Sequence, residues 1–364
     1  MQHVVDTFRI TRYAFPRDRV IGDSQISYSM NHFAALELVD AQGMVGLGFF
    51  FSHIDALSPE SDLNRIFRDQ YMPGIVGQLP EALLNRVADP NGVRSDILPY
   101  SVYQAIDQAL WDLAAQRAGM PLYRYLGGEN RKVPVYASGC CFPLSDDELA
   151  EFYTRVACFG CSAYKVKVGH PDVEWDLRRL SIVRDIVGPE ARLMADANEA
   201  WSGEEAVQRL KTYADNGFNL YWIEDPVKRD DIDGMQAIGQ AVPDVRLNLG
   251  EYLDISGKRD LIERGVVDIV NIHGDISGGL LIGWFAAEHN IQVSLGNTPM
   301  EIGAHLSAAL PNIVATEVSF QNTHDILTAK ITVEDGCIVL PDVPGHGLQL
   351  SAEAKMELRQ AESG

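Results

Sequence analysis

The stretch "YKVKVG", residues 164–169, sets Lys165 and Lys167 two apart in an otherwise apolar run. Side chains alternate along a strand, so both lysines point one way while Tyr164, Val166 and Val168 point the other. Two ammonium groups on one buried face are costly unless anions meet them. Short apolar runs of the same kind recur downstream: "VPVYASG" (133–139), "RLMADAN" (192–198), "LYWIEDP" (220–226), "RLNLGEY" (246–252), "DIVNIHG" (268–274), "QVSLGN" (292–297) and "IVATEVS" (313–319). With 164–169 they make eight strands, separated by helical stretches such as "SGEEAVQRLKTYADNG", which Gly217 closes.

A polar or glycine residue falls near the C-terminal end of each later strand: Lys167, Asp196, Glu224, Glu251, His273, Gly296 and Glu317. Successive gaps are 29, 28, 27, 22, 23 and 21 residues, the length of one strand, one helix and two loops. The spacing predicts a (β/α)8-type TIM barrel over 127–335, with its active site at the strand C-termini. Residues 1–126 read as an α+β capping domain. It has strands in 1–50, a polar loop at "PRDRVIGDSQ", and helices such as "SVYQAIDQALWDLAAQRAG" with a Ser cap and Gly119 near the end. The segment 336–364 is expected to return to the capping domain.

Asp196, Glu224 and Glu251 end three consecutive strands in apolar settings, "LMADAN", "WIEDP" and "NLGEY". Three converging carboxylates repel one another unless a cation sits among them, and an all-oxygen set suits Mg²⁺ first. Asp225, on the other strand face, reads as an exposed loop charge or a helix cap. A lysine crowded by cations and desolvated has a lowered pKa and can act as a base. A substrate carboxylate on Mg²⁺ would gain an acidic α-carbon through an enediolate.

Composition narrows the partners. A net charge of −21, with 30 basic against 51 acidic residues, argues against nucleic acid. Cys140, Cys141, Cys158, Cys161 and Cys337 are an odd number, so full intrachain pairing is excluded and a reducing compartment is expected. The single CxxC, Cys158 to Cys161, reads as packed thiols rather than a zinc site. No apolar stretch has the length of a membrane span, so a cytoplasmic protein, not at a membrane, is expected. A homo-oligomer is expected.

Several motifs in one order carry a resemblance: "KVK" at 165–167, "MADANEAW" at 194–201, "WIEDP" at 222–226, "LGE" at 249–251, "SGG" at 277–279 and "EIGAHLSAALPN" at 301–312. With "AIDQALWDLAAQRAGMPLYRYLGG" at 105–128, the chain resembles the enolase superfamily, mandelate racemase subgroup, over nearly its full length. The resemblance implies that Asp196, Glu224 and Glu251 bind Mg²⁺ and that Lys167 is the base at the α-carbon of a small-molecule carboxylate. It implies that Lys165 helps hold the substrate carboxylate, that Asn198 contacts substrate and that Glu317 bonds on the carboxylate side.

The usual Asp–His pair of the second face is absent. The strand 6 position holds His273, and the strand 7 position falls on Gly296 or Asn297. His273 is the candidate second acid or base, opposite Lys167. His305, in a helical run, reads as core. The capping loops near 16–25 and 49–56 would set specificity, with Arg17, Arg19, Asp23 and His53 as candidates. The run Phe49–Phe51 reads equally as site or strand core. The leading expectation is a dehydratase (hydro-lyase) acting on a sugar acid or hydroxy amino acid. A racemase or epimerase using Lys167 and His273 is the alternative, and a non-catalytic metal-binding barrel is the alternative of another class.

Overall fold

A computed structural model describes residues 3–52, 56–87, 98, 101–296 and 298–353. The first unit is an antiparallel sheet, β1 (Val5–Gly22), β2 (Ser27–Asp40) and β3 (Val45–Ser52), followed by α1 (Glu60–Ile66), α2 (Pro80–Val87), α3 (Val102–Arg117) and α4 (Leu122–Tyr125). The polar stretch expected as a loop is mostly strand. β1 runs on through Arg17 and Arg19 to Gly22, with a register shift between Pro16 and Ile21. The polar residues are compatible with a strand because one face is covered: Arg17, Arg19 and Ile21 are more shielded than Pro16, Asp18 and Val20. Asp23 shapes the turn of the hairpin. Its carboxylate accepts from the Gln25 and Ile26 amides at 2.7 and 3.1 Å and closes the turn.

Helix α3 lies directly on the edge strand β3. A Cβ on Gly46 or Gly48 would meet the Ala109 or Ala105 carbonyl at 2.1 or 2.0 Å, so only glycine permits the approach. The edge amides of Leu47 and Phe49 then donate to Asp112 and Gln108 of the helix, both at 3.0 Å. Phe49 and Phe50 are fully buried and Phe51 half-buried, so the run is strand core. Ser101 stands at the N-cap of α3, but its side chain makes no capping bond.

Eight parallel strands follow: β4 (Lys132–Ser138), β5 (Ala163–Lys167), β6 (Arg192–Asp196), β7 (Trp222–Glu224), β8 (Arg246–Leu249), β9 (Ile269–Ile272), β10 (Gln292–Leu295) and β11 (Ile313–Val318). Each pairs with the next, and β11 pairs back to β4, which closes the barrel. The helices between are α5 (Asp146–Ala157), α6 (Val173–Val187), α7 (Gly203–Asp215), α8 (Ile232–Ala241), α9 (Ile255–Arg264), α10 (Ile276–Glu288) and α11 (Ala304–Ser307). Ser145, Asp172, Ser202, Asp231, Asp254 and Asp275 cap α5 to α10 through side-chain oxygens. The barrel floor is apolar, made by Tyr136, Ala163, Met194, Trp222, Ile269 and Ala315. The next inward residues up the strands are polar, which lifts the charged layer toward the mouth.

The two units are bonded together. Asp107 of α3 accepts from the Ile276 and Ser277 amides at the start of α10, at 2.6 and 3.1 Å, and from the Ser277 hydroxyl. The C-terminal part adds β12 (Leu327–Ala329), β13 (Thr332–Glu334), β14 (Cys337–Val339) and β15 (Gln349–Leu350). β14 pairs with β4, and the His346 amide then donates to Asp112 at 2.8 Å. All five cysteines are free thiols, and Cys158 is exposed rather than packed. Among the described residues no helix is long and apolar enough to cross a membrane.

His305 is a core residue. Its Nδ1 accepts from the Tyr123 amide and its Nε2 faces the His346 carbonyl, both at 3.1 Å. Burial, with His346 beside it, lowers its pKa to about 3 from the ordinary 6.5. The fold therefore holds the neutral ring, and the unfolded chain binds the extra proton. This contribution is complete above pH 6.5 and is lost as pH falls toward 3. Urea unfolding across that window should show the wild type losing on the order of a few kcal/mol more than His305→Gln. Parallel pH curves for the two proteins would contradict this.

Candidate active site

Asp196 and Glu224 are the last residues of β6 and β7, and Glu251 follows β8 after Gly250, whose φ of +106° only glycine adopts readily. Carboxylate oxygens of the three lie within 4.8 Å of one another. Asp196 and Glu224 are 0% and 1% exposed. The donor set is all oxygen and fits a hard divalent cation. One oxygen points to the same conclusion: Glu251 Oε2 is buried without a hydrogen-bond partner.

Both lysines of β5 reach this layer. Lys165 Nζ lies 2.8 Å from Glu224, 3.3 Å from Asp196 and 3.3 Å from Glu317. Lys167 Nζ donates to Asp196 at 2.5 Å and to Asn198 Oδ1 at 2.8 Å. Glu317 also accepts from the Tyr136 phenol at 3.3 Å, and Asn248 and Asn271 donate to Glu224 at 3.3 and 3.1 Å. Four carboxylates thus face two ammonium groups, a deficit of two positive charges.

The electrostatics follow that deficit. Burial pulls both lysines down, but the carboxylates outweigh it and hold their pKa values well above the lysine norm. The crowding charges are anions rather than cations, so the lysines are raised and not lowered as expected. Burial and the neighbouring acids push Glu224 and Glu251 up, whereas the two lysines hold Asp196 down against its own burial.

The hairpin β1–β2 roofs the β4–β6 side of the mouth. The Gly22 amide donates to the Cys140 carbonyl at 2.7 Å, Ser24 to the Ala197 carbonyl at 3.3 Å, and Gln25 to the Asn198 carbonyl. Arg19 donates to the carbonyls of Gly139, Ser319 and Phe320 at 3.1, 2.7 and 3.0 Å and covers the Phe152 ring at 4.4 Å. Its guanidinium is engaged in docking the hairpin. Arg17 donates to the Met30 carbonyl and to Gln321, and lies 5.4 Å from the centre of the Tyr28 ring.

His273 follows β9 on the inward face shared with Asn271 and is exposed at the mouth. It lines a cleft with Glu251, Tyr252, Lys258 and Gln104. Gly296 follows β10 and offers no side chain. His53 and Asn297 lie outside the described residues. Asp225 is neither exposed nor a cap. It is 5% exposed and accepts from the Gly250 amide at 3.0 Å, and burial together with Glu251 raises its pKa to about 7. Its backbone turns left-handed there (φ 35°), which swings the side chain into the β7–β8 junction instead of outward.

The site also contains groups that the strand-end pattern does not single out: Tyr136, Asn248, Asn271, Tyr252 and Lys258. The inward alternation could have found Asn271, two residues before the marked His273, whereas Asn248 lies three residues before Glu251 and the strand of Tyr136 has no marked end. Lys258 comes from α9 and bonds the Gly250 carbonyl, which no strand pattern reports.

Known proteins are similar to this chain in sequence and fold. The family described as mandelate racemase / muconate lactonizing enzyme, N-terminal domain, matches residues 13–127, and the family described as enolase C-terminal domain-like matches 148–355. The L-talarate/galactarate dehydratase of Salmonella typhimurium is 34% identical over 256 residues, covering 69% of this chain and 63% of that protein, just under two thirds of it. Its structure liganded with Mg and L-lyxarohydroxamate has a TM-score of 0.83 at 26% identity, over 97% of this chain and 92% of that one. The hydrophobic dipeptide epimerase of Enterococcus faecalis is 30% identical over 268 residues, covering 71% of this chain and 70% of that protein. A candidate mandelate racemase from Mesorhizobium loti has a TM-score of 0.93 at 41% identity, over 98% of this chain and 94% of that one.

The docking of the hairpin is open to a direct check. Arg19→Ala removes donors to three carbonyls, each worth roughly 1 kcal/mol or more. Amide exchange at Gly22 should then accelerate by at least about tenfold while β5 and β6 amides stay protected. Unchanged exchange at Gly22 would show that Arg19 does not hold the roof down.

Proposed function

Because the chain belongs to the enolase superfamily, in its mandelate racemase-like subgroup, we propose that it is a Mg²⁺-dependent hydro-lyase that removes water from a hydroxy carboxylic acid. The chain is an enzyme of this superfamily, which sets aside a non-catalytic barrel. One observation carries the reading: a lysine pair inside a carboxylate cluster that lacks two positive charges. A structural metal site needs no such lysines.

Asp196, Glu224 and Glu251 would hold Mg²⁺, which when bound would supply positive charge to the substrate carboxylate and acidify the neighbouring α-carbon. Lys165, fixed between Glu224 and Glu317, binds the carboxylate side. Lys167 removes the α-proton, and Asn198 keeps its ammonium directed into the site. A bound divalent cation would offset the carboxylates that hold the Lys167 pKa up. A proton, given by Lys167 or by His273, leaves with the β-hydroxyl as water, and on an acid that also carries an α-hydroxyl the resulting enol tautomerises to a 2-keto acid.

Elimination is favoured over inversion because Gly296, which follows β10, offers no group that could transfer a proton on the second face. Dehydration needs one base and one acid, whereas racemisation needs a competent base on each face. The second reading, an epimerase, is supported by His273 on the inward face beyond Asn271 and by the similarity to the Enterococcus epimerase.

Glu224→Ala should abolish Mg²⁺ binding by calorimetry and activity with it, while circular dichroism stays that of the wild type. Exhaustive chelation should silence the wild type until Mg²⁺ is restored, and full activity after chelation would refute the metal assignment. Lys167→Met should slow exchange of the substrate α-hydrogen with D₂O by about 10²–10⁴-fold. Wild-type exchange in that variant would move the base elsewhere. In D₂O followed by NMR, the wild type should yield a keto acid lacking water, and inversion without loss of water would favour the epimerase.

A further inference from the structure

Tyr252 directly follows Glu251 at the mouth. Its hydroxyl is 2.7 Å from Asn198 Nδ2, and the direction of that bond is forced. Asn198 Oδ1 accepts from the Lys167 ammonium at 2.8 Å, and an ammonium only donates. The other end of the amide is therefore the NH₂ group, and the Tyr252 oxygen accepts from it. The phenol proton is left to be given elsewhere, and among the described residues nothing takes it.

The ring is also held still. The Arg229 guanidinium lies 4.7 Å from its centre and donates to the Tyr252 carbonyl at 3.1 Å. Glu199 anchors Arg229 through bonds of 2.8 and 2.9 Å to Nε and Nη2. Asn198 and Glu199 both sit in the left-handed region, at φ 49° and 62°, a strained turn that these bonds maintain. Tyr252 as a whole is 38% exposed, and it borders the cleft of about 410 Å³ that Glu251, His273, Tyr103 and Gln104 also line.

We propose that Tyr252 is a specificity-determining residue that donates its phenol proton as a hydrogen bond to a substrate hydroxyl beyond the departing one. This rests on the hydro-lyase reading and names its substrate class: polyhydroxylated acids, rather than acids with an apolar chain. A fixed donor without a protein partner discriminates strongly, because an analogue lacking the oxygen leaves it unmet. The cleft favours a neutral hydroxyl over a second anion there. Glu251, Asp254 and Asp275 line it, and its two cations are already engaged, Lys258 on the Gly250 carbonyl and Arg229 on the Glu199 carboxylate.

The test compares wild type and Tyr252→Phe on two acids. One is the best substrate among pentonates, hexonates and hexarates, and the other is its analogue lacking the γ-hydroxyl. The wild type should prefer the hydroxylated acid in kcat/KM by about 10- to 100-fold. Tyr252→Phe should erase most of that preference, with Mg²⁺ affinity by calorimetry unchanged. An equal loss on both acids, or a preference that survives the substitution, overturns the proposal. If no acid loses water yet one exchanges its α-hydrogen in D₂O, the hydro-lyase reading falls. The exchange rates of the same two acids then decide the role of Tyr252.

Discussion

The barrel mouth buries more negative charge than its own lysines neutralise, and much of the architecture answers to that imbalance. Asp196, Glu224 and Glu317 are each 5% exposed or less. Burying such groups is expensive unless every charge is met. Three consecutive parallel strands bring the acids side by side, and a neighbouring strand brings both ammonium groups beneath them. The barrel's closure allows Glu317 of β11 to reach Lys165 of β5 across β4. An open sheet would leave those two strands at different distances from the same charge.

Neutral polar groups complete the layer. Asn248, Asn271 and the Tyr136 phenol donate to acids that would otherwise repel. Below them Trp222 stacks edge-on against Tyr136 at 5.1 Å and seals the floor from water. A sealed floor lowers the local dielectric, which strengthens each charge interaction above it. Helix α3 carries the same logic to the other unit, where its buried Asp107, Gln108 and Asp112 each satisfy backbone donors of a different segment.

The barrel strands were readable in the sequence because their side chains follow a two-residue period and their spacing a β/α period. The three acids and two lysines stand out for the same reason: charge on the inward face of an apolar strand is improbable without a purpose. The tip of the hairpin was not readable. Its polar run mimics a loop, and only its burial against the barrel makes Arg17 and Arg19 strand residues. Asp225 misleads through its backbone, since a left-handed residue breaks the alternation on which the reading relies. Tyr252 and Lys258 are invisible to any period. Their roles come from loops and a helix folding back over the strand ends.

The roof docks on main-chain atoms. The carbonyls of Gly139, Cys140, Ala197, Asn198, Ser319 and Phe320 receive the hairpin's donors, and all belong to segments just beyond strand C-termini. Main-chain carbonyls are the same whatever side chain they carry, so most of the landing pad is set by the barrel's shape, with Gln321 and Asn322, which meet Arg17 and Asn31, as its side-chain contacts. The hairpin's inward face can therefore be rewritten without renegotiating its attachment. A roof transplanted between two such barrels needs to bring only its own arginine, turn and tip, while the chemistry underneath stays untouched. Fastening and selection are separable parts, which makes this hairpin the natural cassette for redirecting the enzyme to a different acid.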